Sequence, residues 1–159
     1  MQIHLISVGQ NMPRWVTDAF DEYARRMPHR CALKLREIPA IARKPRADLA
    51  RIARDEGEQI LAAVPKHAKI IALTREGKML GTPAVASELQ TWIDDGDDVA
   101  LLVGGPEGLD DAVIRAAHWE WSLSKLTFAH PLVRVILAEQ LYRAWSVIEG
   151  KPYHRGASL

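Results

Sequence analysis

The alternation of apolar and polar positions divides the chain into ten elements. "IHLISVG" (Ile3–Gly9) is short, rich in β-formers and closed by glycine, which predicts a strand. "PRWVTDAFDEYARRM" (Pro13–Met27) puts Val16, Phe20, Tyr23 and Met27 on one stripe at helical spacing, with Pro13 suited to a first turn. "LKLREIP" (Leu33–Pro39) alternates and stops at proline, a second strand. After the basic loop "IARKPRAD", Asp48 is placed to cap a helix running to about Val64, with Leu49, Ile52, Ala53, Ile60 and Leu61 facing inward. "KIIALT" (Lys69–Thr74) and "VALLVGG" (Val99–Gly105) are continuous apolar runs, the pattern of strands covered on both faces. Between them "TPAVASELQTWIDDG" is helical and ends near Gly96. Asp110 to His118 predicts a short helix, "WEWSLS" (Trp119–Ser124) alternates as a strand, and a long last helix runs from Pro131 to about Glu149.

Strands and helices thus take turns from end to end, which argues for an α/β fold with a mostly parallel sheet flanked by helices. No internal repeat, linker or low-complexity stretch interrupts the order, so residues 1–159 read as one domain. The last helix stands apart. At 100° per residue, Glu139, Arg143 and Ser146 share a side, with Glu139 and Arg143 spaced to pair. Leu132, Val133, Val135, Ile136, Leu137, Leu141, Trp145 and Ile148 cover most of the rest. A helix so widely apolar must be buried on more than one side. One sheet cannot do that, so the pattern predicts a homodimer with this helix at a two-fold interface.

Composition adds limits. With 48% hydrophobic and 26% charged residues the chain is ordinary for a globular protein. No stretch approaches the roughly 20 apolar residues of a membrane span. The amino end lacks a basic start and a cleavage site, and Cys31, the one cysteine, excludes an internal disulfide; a cytoplasmic protein is expected. The net charge of +1 conceals a basic tract from Arg25 to Arg54, opposed only by Glu37 and Asp48. Such a tract reads either as a polyanion surface or as a solvated loop and helix face.

Ligands of open α/β sheets bind beyond the carboxyl ends of the strands. Three such ends are suggestive: "IALTREGK", where Leu73 and Thr74 close a strand; "LLVGGPEG", where Gly104 and Gly105 let a ligand approach the backbone and Glu107 supplies a charge; and "SLSKLTFAH". The glycine loop is neither a dinucleotide fingerprint nor a P-loop. His118 and His130 are too isolated to hold zinc, so no metal is expected. "SLSK" lacks the companion motifs of a serine-lysine hydrolase. Arg134, inside the apolar helix, needs an anion, either a salt-bridge partner or a substrate phosphate or base. His130 is either a helix-start residue bonded to backbone or part of a site. Tyr153, His154 and Arg155 combine an aromatic, a titratable ring and a guanidinium on a short tail.

"LLVGGPEG", "SLSKLTFAHPLVRVILAEQLYRAW" and the closing "PYHR", in this order and spacing, resemble the RlmH-type methyltransferases of the SPOUT superfamily; "ISVGQNMPRWV", "EGEQIL" and "ALTREGK" extend the resemblance over nearly the full length. The resemblance implies an α/β fold with a trefoil knot near the carboxyl end, an obligate homodimer and S-adenosyl-L-methionine as cofactor. It implies methylation of N3 of a pseudouridine in a large-subunit rRNA stem-loop, on the assembled ribosome. By match of motif, cofactor contacts fall on Leu73, Gly104, Gly105, Leu123, Ser124, Lys125, Leu126, Thr127 and Phe128. His154 is the first candidate base and His130 the second, with Arg134 beside them; Arg143, Tyr153 and Arg155 fall on the RNA side. Ala129 stands where the family pattern has proline, and "GASL" extends the usual end. Two other readings stay open: a dimeric RNA-binding protein without catalysis, and a methyltransferase of the same superfamily with a different RNA target.

Overall fold

A computed structural model describes residues 1–155, apart from the side chain of His154; the closing "GASL" lies outside the described residues. Strands β1 (Gln2–Val8), β2 (Ala32–Ile38), β3 (Lys69–Met79), β4 (Val99–Val103) and β5 (Trp119–Ser122) form one sheet in the order β2-β1-β4-β3-β5. Every neighbouring pair is parallel. Helices α1 (Arg14–Ala24), α2 (Leu49–Ala63), α3 (Thr82–Asp95), α4 (Asp111–Ala116) and α5 (His130–Ile148) connect and flank the strands. Each predicted element is present, with ends within a few residues of those expected; only β3 runs well beyond its expected end.

Period-two side-chain alternation builds two cores from one sheet. Ile3 and Leu5 of β1 join Val99 and Leu101 of β4 on the face covered by α1, α3 and α5. Ile6 and Val8 join Ala100 and Leu102 on the opposite face, under α2 and α4. Both faces are dry, which is why "VALLV" carries no polar position. Local signals close the helices as expected. The Asp48 carboxylate accepts from the Arg51 N–H at 3.1 Å, and Gly96 ends α3 in the left-handed region with φ of 79°.

Three expectations need correction. Leu49 does not face the core and is 46% exposed. The buried residues of α2 are Ile52, Glu56, Gly57 and Ile60, with Leu61 packed partly buried beside them, so a carboxylate occupies a core position at 2% exposure. Strand β3 does not stop at Thr74: its pairing with β5 shifts register between Leu73 and Lys78, and the polar "TREG" lies between these two registers. The apolar breadth of α5 does not by itself require a dimer. Leu137, Ala138, Leu141, Ala144 and Trp145 are buried within a single chain, because α1 and α3 flank α5 while the sheet lies beneath it. What remains uncovered is narrower: Leu132, at 37% exposure, with Val135 and Ile136 partly buried beside it.

Candidate functional site

The carboxyl ends of β4 and β5, with the irregular middle of β3, open into a cavity of about 660 Å³. Three chain segments line it: Leu73 to Glu76, Val103 to Leu109, and Trp121 to Ser124 with Leu126 to Phe128, with His130 and Val133 behind them. The size suits a nucleotide-sized ligand, since such pockets span roughly 300–1,000 Å³. Of the cofactor-binding residues expected from the sequence, Leu73, Gly104, Gly105, Leu123, Ser124, Leu126, Thr127 and Phe128 all line the cavity. Lys125 does not and is exposed. The loop after β5 is held in shape by its own hydroxyls. Ser122 Oγ donates to the Ser124 carbonyl at 3.1 Å, and Ser124 Oγ accepts from the Leu126 N–H at 3.0 Å. Leu126 is left 71% exposed at the rim.

Two buried polar atoms of the lining lack a partner among the described residues: the Thr74 hydroxyl and the Trp121 indole N–H. Burying such groups unpaired costs about 1–3 kcal/mol each, so a ligand with matching donors and acceptors gains by meeting them. Neither was singled out as a contact from the sequence, although Thr74 directly follows Leu73.

The two glycines also have a packing role. A Cβ on Gly104 would lie 2.5 Å from the Gly108 carbonyl oxygen, and one on Gly105 would lie 2.6 Å from Arg43 Nη2. Their bareness lets the loop close on itself and lets an arginine pass behind it. That arginine belongs to the basic loop. Its guanidinium pairs with both oxygens of buried Glu56, at 2.7 and 2.8 Å, and with Glu107 at 2.8 Å.

The helix that follows the site is stitched to the end of β1 by two side chains one turn apart. His130 Nε2–H donates to the Val8 carbonyl, which places the lone pair of the neutral ring on Nδ1. Arg134 donates from Nη1 to Glu37 at 2.9 Å and from Nη2 to the Gly9 carbonyl at 3.3 Å. At 3% exposure Arg134 is a buried brace, and the salt-bridge alternative describes its position. His130 combines both of its alternatives, since it bonds backbone and also lines the cavity.

The tail lies elsewhere. Residues 152–155 form a 3-10 turn against α5 of their own chain. The Tyr153 hydroxyl donates to Glu139 at 3.1 Å, its ring meets Tyr142 edge-on at 4.7 Å, and the Arg143 guanidinium sits over it at 4.9 Å. Arg143 also makes the expected pair with Glu139, donating from Nε at 2.9 Å. Burial pushes the Tyr153 phenol up, and Tyr23 and Glu139 push the same way, so it stays a protonated donor. None of Tyr153, Arg143 and Arg155 lines the cavity of the same chain. His118, set aside as a metal ligand, accepts the Ile70 N–H through Nδ1 at 3.0 Å. Among the described residues no cluster of His, Cys, Asp and Glu could hold a metal ion, and no helix is long and apolar enough to cross a membrane.

Residues 1–154 match the family model described as "Predicted SPOUT methyltransferase". The ribosomal RNA large subunit methyltransferase H of Thioalkalivibrio sulfidiphilus is 56% identical over 98% of this chain and 99% of its own length. The protein of the same name from Methylococcus capsulatus is 52% identical over 98% of this chain and 100% of its own. A probable methylase family protein from Haemophilus influenzae shares the fold, with a TM-score of 0.53 at 13% identity, over 96% of this chain and 69% of that one.

Proposed function

The chain belongs to the SPOUT methyltransferases, in the family of ribosomal RNA large subunit methyltransferase H, and from that premise we propose that it methylates N3 of a pseudouridine in a large-subunit rRNA stem-loop. It acts on the assembled ribosome, as a homodimer in the cytoplasm, with S-adenosyl-L-methionine as cofactor and with the trefoil knot that the resemblance implies. The observation that carries this reading is the cavity at the strand ends, built from the segments the family motifs mark and lined by two unpartnered buried polar atoms.

The residues present fit the cofactor. Backbone groups of Leu123 to Phe128 and the Thr74 and Trp121 side chains offer hydrogen bonds for a base, ribose or amino-acid moiety, while Leu73, Leu123 and Val133 offer apolar contact. Bound there, S-adenosyl-L-methionine supplies an electrophilic methyl on a sulfonium. The protein's part is alignment and proton removal. Holding N3 in line with the methyl replaces an encounter by a positioned contact. The N3 proton must leave, and a positioned base contributes about 10²–10⁴-fold. His154 is the first candidate; His130, with its Nδ1 lone pair and its place on the cavity wall, is the second. The tail is docked away from its own cavity, which supports a site completed by a second copy. The strip of exposed Leu132 and partly buried Val135 and Ile136 supports α5 as the dimer contact.

Calorimetric titration with S-adenosyl-L-methionine tests the reading. Saturable binding with one site per chain is expected, weakened by Thr74→Val. No binding by the folded wild type would leave a dimeric RNA-binding protein as the better account.

A further inference from the structure

The basic tract contains one arginine that is withdrawn from solvent. Lys44 and Arg46 are exposed, with no carboxylate partner among the described residues, as expected of a polyanion surface. Arg43, between the same loop and the sheet, has a side chain only 20% exposed and spends its donors on protein. Nη1 donates to Glu56 and to the Ile41 carbonyl at 2.7 Å; Nη2 donates to Glu56 and Glu107. Glu56 is itself 2% exposed and also accepts the Ile41 N–H at 2.8 Å. Two carboxylates from different elements, α2 and the loop after β4, therefore share one guanidinium. Gly105 is bare where that guanidinium passes, so the backbone and the ion pair are fitted to each other. A buried carboxylate is costly unless paired, so Glu56 fixes Arg43 strongly. Arg43 in turn holds the Glu107 carboxyl below its ordinary value of 4.5, so it stays charged at neutral pH.

We propose that Arg43 is a positioning residue for cofactor binding: anchored on Glu56, it holds Glu107 and so sets the shape of the 104–108 loop that forms one wall of the cavity. The inference rests on the reading that this cavity takes S-adenosyl-L-methionine. It assigns Arg43 to the cofactor side although it lies in a tract that reads as an RNA surface. Lysine cannot replace it, because a point charge cannot serve two carboxylates in the planar, forked geometry.

The test uses the full-length protein, with S-adenosyl-L-methionine titrated by calorimetry and RNA affinity read from large ribosomal subunits. Glu107→Gln cuts the link to the loop while leaving the Arg43–Glu56 pair, and Arg43→Lys loosens both. Each is expected to weaken cofactor binding about tenfold. The cooperative unfolding transition should be kept, with RNA affinity within about twofold. Unchanged cofactor affinity in both folded variants overturns the proposal. Loss of RNA affinity with normal cofactor binding overturns it too, and would make Arg43 an RNA contact. Loss of the native unfolding transition in both would show a fold brace and nothing more. If the wild type does not bind the cofactor, the underlying functional reading fails, which is a separate result.

Discussion

Glu37→Gln should destabilise the protein more than Arg134→Met. Arg134 is 3% exposed and has one carboxylate partner, Glu37, whose side chain is 33% exposed. Removing one partner of a buried pair costs about 3–5 kcal/mol when both are dry. Water can reach the Glu37 side, so about 2–3 kcal/mol is the better figure here. Glutamine preserves shape and leaves the guanidinium buried with a neutral acceptor. Arg134→Met instead removes the buried charge, leaves Glu37 to water, and forfeits the Gly9 bond, about 1–2 kcal/mol. For a domain of this size 1 kcal/mol shifts Tm by about 2–4 °C, so Glu37→Gln should lower it by about 4–12 °C. The double variant should resemble Arg134→Met alone and fall short of the sum, with about 2–3 kcal/mol of coupling. Urea unfolding at one fixed protein concentration measures all four proteins, since the stability of the proposed dimer would depend on concentration. Additive effects would refute the brace. So would an Arg134→Met protein of wild-type stability whose RNA binding has a shallower salt dependence, because that pattern belongs to a phosphate contact.

Three further outcomes follow from the same geometry. Leu132→Glu or Ile136→Glu should give a folded monomer in sedimentation, whereas Leu141→Glu should unfold the chain, because Leu141 is wholly buried within one subunit; a stable dimer in both surface variants would remove α5 from the interface. Truncation after Gly150 should keep cofactor binding and lose most methylation, at a stability cost of about 1 kcal/mol for the lost Tyr153 contacts, and a truncated protein active at the full rate would contradict it. The Asp98 carboxyl is raised by burial but lowered further by the Gln2 N–H at 2.8 Å and by His4 at 3.0 Å, with a net shift below its ordinary value of 3.8. A lowered carboxyl stabilises the fold above its unfolded value and loses that contribution as pH falls through the folded one. Acid unfolding should therefore begin at higher pH in Asp98→Asn, and an unchanged acid transition would show the contact to be idle.

Much of this was legible in the sequence because the pattern carried it. Two-sided apolar runs marked the central strands, and capping residues marked the helix ends. The cavity was legible by motif: the residues expected to hold the cofactor line it, with Lys125 outside. What escaped was long-range. Glu56 sits at an inward position of α2, four residues from Ile52 and Ile60, but its partner Arg43 looked like one more cation in a basic tract. Arg134 announced its need for an anion, yet Glu37, 97 residues away, is joined to it only by the fold. The glycines of the 104–108 loop suggested ligand approach, but their packing against Gly108 and Arg43 has no local signature. The register shift in β3 depends on β5 and has no local signature. The apolar breadth of α5 is satisfied largely by α1 and α3, which a helix-by-helix reading does not weigh.

The central claim is methyl transfer to N3 of a pseudouridine in large-subunit rRNA. Its most direct test is a nucleotide-resolution map of modified rRNA from a strain lacking this protein, before and after its ribosomes are incubated with the purified protein and S-adenosyl-L-methionine. The account predicts that one N3-methylpseudouridine is absent from the large-subunit rRNA of that strain and is restored by the incubation. An unaltered map, or restoration of a methyl group at another atom or in another RNA, would contradict it.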